Sequence, residues 1–172
     1  ESPLLSLGRG TFVKEIEAAL LDGQIDLAVH SAKDLPADLP DGLTLAGTVP
    51  RQDPRDVLVD RWSLTLNGLP EGARIGTSSP RRTAQLKARR PDVQIIPIRG
   101  NVGMRLDKAS GADYDGVLLA AAGLVRLRRQ NEVSEYLSVE VCTPDVGQGT
   151  LAVEVKEEDE EFLEMLAQID HG

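Results

Sequence analysis

Apolar residues recur at helical spacing over residues 11–21, where Phe12, Ile16, Ala19 and Leu20 share a face and Gly23 supplies a stop. Two short apolar runs follow, residues 25–30 and 43–49, each of a length suited to a buried strand. Residues 57–59, 73–76, 93–98, 116–120 and 151–155 read the same way, with 139–141 as a further short candidate. Helical stretches separate them. Ser79 predicts an N-cap with Pro80 at the first helical position, where proline's fixed φ and missing donor are tolerated. That helix must stop before Pro91. Asn101 predicts the cap of a second helix through residue 106, residues 121–128 a third, and residues 160–169 an amphipathic one. Strands alternating with helices predict an α/β fold with mainly parallel sheets and helices on both faces.

Two segments break this pattern with proline, glycine and charge: Pro50-Arg51-Gln52-Asp53-Pro54-Arg55-Asp56 and Thr143-Pro144-Asp145-Val146-Gly147-Gln148-Gly149. Read as crossings near residues 50–55 and 144–149, they make residues 55–144 a second lobe. Residues 1–50 and 149–172 then share a first lobe, discontinuous in sequence and incomplete. A gap between two α/β lobes is a natural small-molecule site, because ligands bind beyond the carboxyl ends of parallel strands.

Charge sharpens that expectation. From Arg74 to Arg129 there are twelve Lys and Arg against four Asp and Glu, a balance of +8 in a chain of net charge −9. The remainder therefore carries −17, and solubility alone gives no reason for such segregation. It suggests a pocket that holds several negative charges. With 172 residues and 41% apolar content the chain can bury a core, but only 3% is aromatic, too few for base-stacking platforms. A pI near 4.7 also argues against coating DNA or RNA. A single cysteine, Cys142, excludes an internal disulfide framework and fits a reducing, cytoplasmic setting. No apolar run approaches the ~20 residues that span a bilayer. Zinc-ligand spacing, a P-loop and a nucleophile elbow are absent too, and no metal is expected.

The candidate chemistry lies at strand ends. After the strand of residues 25–30 comes Ser31-Ala32-Lys33-Asp34-Leu35-Pro36; an isolated Lys-Asp pair is ordinarily a loop ion pair, but this one sits where a strand opens onto a cleft. Gly76-Thr77-Ser78-Ser79-Pro80-Arg81-Arg82 offers hydroxyls, arginine forks and free N–H groups at a helix start. Arg99-Gly100-Asn101 repeats the arrangement one strand later, with Gly100 allowing close backbone approach, and Arg126 follows a third strand and a turn at Gly123. One such arginine is unremarkable; three successive strands delivering arginine to one edge favour a site. Lys87, Arg89, Arg90, Arg128 and Arg129 read as solvated helix faces, Cys142 as a small core residue and His30 as a satisfied buried histidine.

These stretches, with Asp53-Pro54-Arg55-Asp56, Arg99-Gly100-Asn101-Val102-Gly103-Met104-Arg105 and Val146-Gly147-Gln148-Gly149, occur in the order seen in porphobilinogen deaminases, also called hydroxymethylbilane synthases. Gly8-Arg9-Gly10-Thr11-Phe12-Val13-Lys14-Glu15 fits the same pattern, so the chain closely resembles that family nearly end to end. The resemblance implies two lobes like those of type II periplasmic binding proteins, and a transferase of tetrapyrrole synthesis. It would join four porphobilinogen units head to tail, with loss of ammonia, on a dipyrromethane cofactor to give hydroxymethylbilane. Asp34 matches the family's catalytic aspartate, which stabilises the cationic azafulvene and moves protons. The resemblance further places Arg9, Ser31, Lys33, Thr77, Ser79, Arg81, Arg82, Arg99, Gly100, Arg105, Arg126 and Gln148 on cofactor or substrate. Arg9 stands where the family often has lysine, and Pro80 where leucine is usual.

The family's N-terminal strand would precede Glu1, and its third domain, with the cofactor-bearing cysteine, would follow Gly172; Cys142 does not match that cysteine. The piece alone is therefore expected to be inactive, and the complete protein a monomer that binds porphobilinogen and polypyrrole intermediates but neither nucleic acid nor membrane. From the residues alone, a non-catalytic solute-binding or sensor module for a carboxylate ligand stays open, since fold does not fix function. The Lys33-Asp34 pair favours the enzyme, because a receptor for anions gains nothing from an aspartate in its pocket.

Overall fold

Helix α1 (Thr11–Leu21) opens the part of the chain that the computed structural model describes, residues 11–171, and ends as the apolar spacing predicts. Strands β1 (Leu27–Ser31) and β2 (Leu43–Thr48) follow, joined through a short 3-10 turn at Ala32–Asp34. The chain then enters a second unit through β3 (Asp56–Asp60) and β4 (Arg74–Gly76). Helix α2 (Pro80–Arg89) has Pro80 at its first position, and its N-cap Ser79 Oγ accepts from the Arg82 N–H. After β5 (Gln94–Ile96), helix α3 (Val102–Lys108) is capped by Asn101, whose Oδ1 accepts from the Met104 N–H at 2.9 Å. Strand β6 (Gly116–Ala120), helix α4 (Ala121–Arg126) and the short β7 (Glu135–Tyr136) complete this unit. Strand β8 (Leu151–Lys156) and helix α5 (Glu160–Leu166) then belong with α1, β1 and β2. The described residues thus divide into unit 1, up to residue 51 and from 150 onward, and unit 2, Gln52–Gly149.

Unit 1 is a sheet of order β1-β8-β2 in which both ladders are antiparallel, with Leu27 opposite Val155 and Ser31 opposite Leu151. Leu20 of α1 packs on Ala28 and Leu43 on one face, and Leu166 of α5 on Val153 and Val155 on the other. Unit 2 has the order β5-β4-β6-β3-β7. Strand β4 runs parallel to both β5 and β6, whereas β3 is antiparallel to β6 and β7. The expectation of mainly parallel sheets is therefore corrected among the described residues, where two of six ladders are parallel. The physical reason lies in the crossings. A strand that enters a sheet directly from the other unit, as β3 and β8 do, needs no crossover helix and runs against its neighbours.

Helices do cover both faces of the unit 2 sheet. Leu86 of α2 packs with Leu58, Ile75 and Leu118 on one side, while Leu106 of α3 and Leu124 of α4 pack with Val57, Val117 and Leu119 on the other. That two-sided burial explains why β3 and β6 read as unbroken apolar runs. Residues 139–141 are not a strand. The chain turns there instead, because the Ser138 carbonyl captures the amides of Val141 at 3.0 Å and Cys142 at 2.9 Å, and the ladder to β3 forms earlier, at β7.

Candidate functional site

Because β5, β4 and β6 are adjacent and parallel, their carboxyl ends share one edge of the unit 2 sheet. The three connections leaving that edge carry Thr77 to Arg82, Arg99 to Arg105, and Arg126 on α4, the arrangement expected from the sequence. Helix α4 starts directly after β6, so Gly123 lies inside it and not in a turn.

At this edge a buried carboxylate gathers much of the chemistry. Asp56, fully buried at the start of β3, holds Arg82 through Oδ1, with Nη2 at 2.7 Å and Nε at 3.1 Å. Its Oδ2 holds Arg81 Nη1 at 2.7 Å, and Gln148 Nε2 donates to Oδ1 at 2.9 Å and to the Pro54 carbonyl at 2.6 Å. Burial opposes ionisation of Asp56, but the two guanidinium groups and the Gln148 amide outweigh it and hold its pKa at about 2. Asp56 is thus a permanent anion set against two permanent cations. Asp56 stands in the Asp53-Pro54-Arg55-Asp56 motif with no site role of its own in the sequence; the available signal is a carboxylate at the opening of a strand whose interior, residues 57–59, is apolar.

The candidates divide by how far the protein itself uses them. Arg82 is buried, and its Nη1 also donates to the Leu118 carbonyl at 3.2 Å, so all three of its nitrogens are engaged inside the fold. Arg81 is partly exposed; it also donates to the Thr143 carbonyl and lies 3.9 Å from Asp145 Oδ2. Thr77 Oγ1 accepts the Ser79 N–H at 3.2 Å, so the Thr77 and Ser79 oxygens shape the helix start, although each hydroxyl keeps a proton to donate. Arg99 is exposed and, among the described residues, its guanidinium makes no hydrogen bond or ion pair. Gly100 takes φ +117°, a conformation that strains any residue with a Cβ, and its carbonyl accepts from Arg105 Nε at 2.7 Å. Arg126 is exposed and spends one Nη2 donor on the Gly149 carbonyl at 2.9 Å. Ser31, Lys33 and Asp34 lie in unit 1, Ser31 ending β1 and the other two in the turn beyond it; Asp34 is exposed. Arg9 lies outside the described residues.

Two of the arginines expected on solvated faces are structural. Arg90 pairs with Asp92 at 2.6 Å and donates to the Leu69 carbonyl, and Arg129 bridges Glu132 and Asp107. Cys142 is buried as expected, but its Sγ also donates to Asp56 Oδ2 at 3.2 Å. Burial and the neighbouring Asp56 carboxylate push its thiol up to about 11. Its reaction with a thiol-directed alkylating reagent at neutral pH should therefore be undetectable in the folded protein and rapid in denaturant. Equal rates in both states would contradict this placement.

Taken by class, these are α/β units of the kind found in type II periplasmic binding proteins. A periplasmic substrate-binding protein of an ABC transporter from Coxiella burnetii superposes with a TM-score of 0.57 at 14% identity, covering 91% of this chain and 75% of that one, a likeness of fold alone. Sequence decides the family. Residues 1–164 match the family model described as porphobilinogen deaminase, dipyrromethane cofactor binding domain. The porphobilinogen deaminase of Geobacillus sp. is 55% identical over 94% of this chain and 52% of its own length; that of Syntrophotalea carbinolica is 56% identical over 93% and 51%. The chain belongs to the porphobilinogen deaminase family, and it spans about half the length of the curated relatives it matches.

Proposed function

We propose that this chain is the pyrrole-binding part of a porphobilinogen deaminase, which condenses four porphobilinogen units head to tail with loss of ammonia to give hydroxymethylbilane. The observation that carries this reading is the shared edge of β5, β4 and β6, which presents three arginine-bearing connections in a chain of this family. Each pyrrole carries an acetate and a propionate, and guanidinium forks match carboxylates in both charge and shape. The exposed Arg99 and the remaining donors of Arg126 fit a dipyrromethane bearing such groups. When bound, dipyrromethane supplies the primer to which the incoming pyrrole is joined.

In this reading Arg99, Arg105, Arg126 and Arg81 hold carboxylates; Arg82, Gln148, Thr77 and Ser79 keep the edge in shape. Arg9, Ser31, Lys33 and Gly100 complete the binding set. Asp34 stabilises positive charge on the substrate as ammonia leaves and accepts or returns a proton near the pyrrole N–H. The cofactor's attachment thiol belongs to the part of its relatives' length that this chain does not span. The buried, Asp56-bonded Cys142 supports that assignment, since a thiol raised to about 11 is a poor nucleophile.

The test is to supply porphobilinogen to the intact protein and follow ammonia and hydroxymethylbilane. Arg99→Gln removes one charge-assisted contact, roughly 1.5 kcal/mol or more, and should raise KM on the order of tenfold. Tight porphobilinogen binding without ammonia release would instead establish a solute-binding module.

A further inference from the structure

Unit 1 contains a buried ionisable cluster of its own, independent of the proposed activity. Glu17 on α1, His30 on β1 and Glu154 on β8 are 5%, 5% and 0% exposed, among Leu20, Ala28 and Leu43. His30 Nε2 lies 2.9 Å from Glu154 Oε2. The Oε1 atoms of both Glu17 and Glu154 are buried and have no hydrogen-bond partner. Among the described residues, no other charge faces the cluster from the elements around it. Lys14 and Glu15 of α1 are exposed, as is Asp26 before β1, and β2 carries no ionisable residue. Lys156 of β8 lies out by the Gly23 turn, and α5 packs on the opposite face of the sheet.

Fully ionised, the trio would put two carboxylates and at most one cation in an aliphatic layer, with two oxygens lacking any donor. Leaving such oxygens unmet is costly, whereas one added proton removes a buried charge and creates an O–H donor. We propose that unit 1 folds with a proton resident on the Glu17–Glu154 carboxyl pair, which makes it a pH-sensitive element that loosens as the medium turns alkaline. The Glu154 pKa agrees in direction: burial raises it and the Glu17 charge adds to the rise, while His30 opposes both. A carboxyl raised in the folded state gives stability that is complete below its unfolded value, near 4.5, and is lost as pH climbs through the folded value. Between those limits the folding constant of unit 1 falls by up to about tenfold per pH unit. Because β1 runs directly into the turn bearing Lys33 and Asp34, loosening would reach that turn.

The test follows amide hydrogen exchange of β1 and β8 in the intact protein, in Glu17→Gln and in Glu154→Gln, from about pH 5 to 8. Glutamine copies the shape of the protonated acid without titrating. Protection in the parent, relative to one or other variant at the same pH, should decline as pH rises. Parallel curves for both Glu17→Gln and Glu154→Gln would mean that both carboxyls are ionised in the fold and would overturn the proposal. Should either variant fail to fold, infrared spectroscopy of the parent with isotopically labelled glutamate decides. A label-shifted carboxylic-acid C=O band at neutral pH supports the resident proton, and its absence rejects it.

Discussion

Asp56→Ala is expected to cost unit 2 about 3–5 kcal/mol, enough to leave it largely unfolded under conditions where the parent is stable. The size follows from what remains behind. Removing the carboxylate strands the buried Arg82 guanidinium with only the Leu118 carbonyl, and strips Arg81 Nη1, Gln148 Nε2 and the Cys142 thiol of the same acceptor. Asp56→Asn keeps the volume and one acceptor oxygen but leaves Arg82 without an anion and Arg81 with only the more distant Asp145, so it should fall between parent and alanine. Urea titration followed by the fluorescence of Trp62, the chain's single tryptophan and a residue of unit 2, reads the effect directly. An alanine variant with an unchanged midpoint would show that the ion pairs contribute nothing. The pH dependence has a definite sign. A carboxylate depressed from 3.8 to about 2 gives stability that is present above pH 3.8 and lost as pH falls toward 2. The parent should therefore lose about 2 kcal/mol across that window, and the asparagine variant should not.

Why Asp56 escaped the sequence while its neighbours did not is a matter of range. The boundaries of α1, the Ser79-Pro80 start of α2 and the Asn101 cap of α3 are written in residues at most a few positions apart, and local signals of that kind survive folding. So does the repetition of arginine after successive strands. By contrast, Asp56 meets Arg82 across 26 positions and Gln148 across 92, and only the assembled sheet places them together. The strand directions were hidden for a related reason: alternation of strand and helix describes β4, β5 and β6, but β3 and β8 cross between units without a helix. Arg90 and Arg129 looked like solvated charges because nothing in the local pattern marks the Leu69 carbonyl, or Asp107 on α3, as their partners. The Glu17 and Glu154 carboxyls of unit 1 were equally silent, one on an apparently ordinary helix and the other inside an apolar strand.

Asp34→Asn is expected to reduce turnover of porphobilinogen by the intact protein on the order of 10²–10³-fold, while stability stays within about 0.5 kcal/mol of the parent. The two halves of this prediction have different origins. Asp34 is exposed in a 3-10 turn, and among the described residues its side chain makes no hydrogen bond or ion pair, so the fold does not depend on it. Asparagine preserves its size and one acceptor but not its charge, and charge is what a substrate turning cationic as ammonia departs requires. A preorganised charge acts on the barrier more than on ground-state binding, so kcat should fall much further than KM rises, in contrast to Arg99→Gln. An Asp34→Asn protein that releases ammonia at the parental rate would remove Asp34 from the chemistry. The arginine edge would then remain a carboxylate-binding site whose reacting group lies elsewhere.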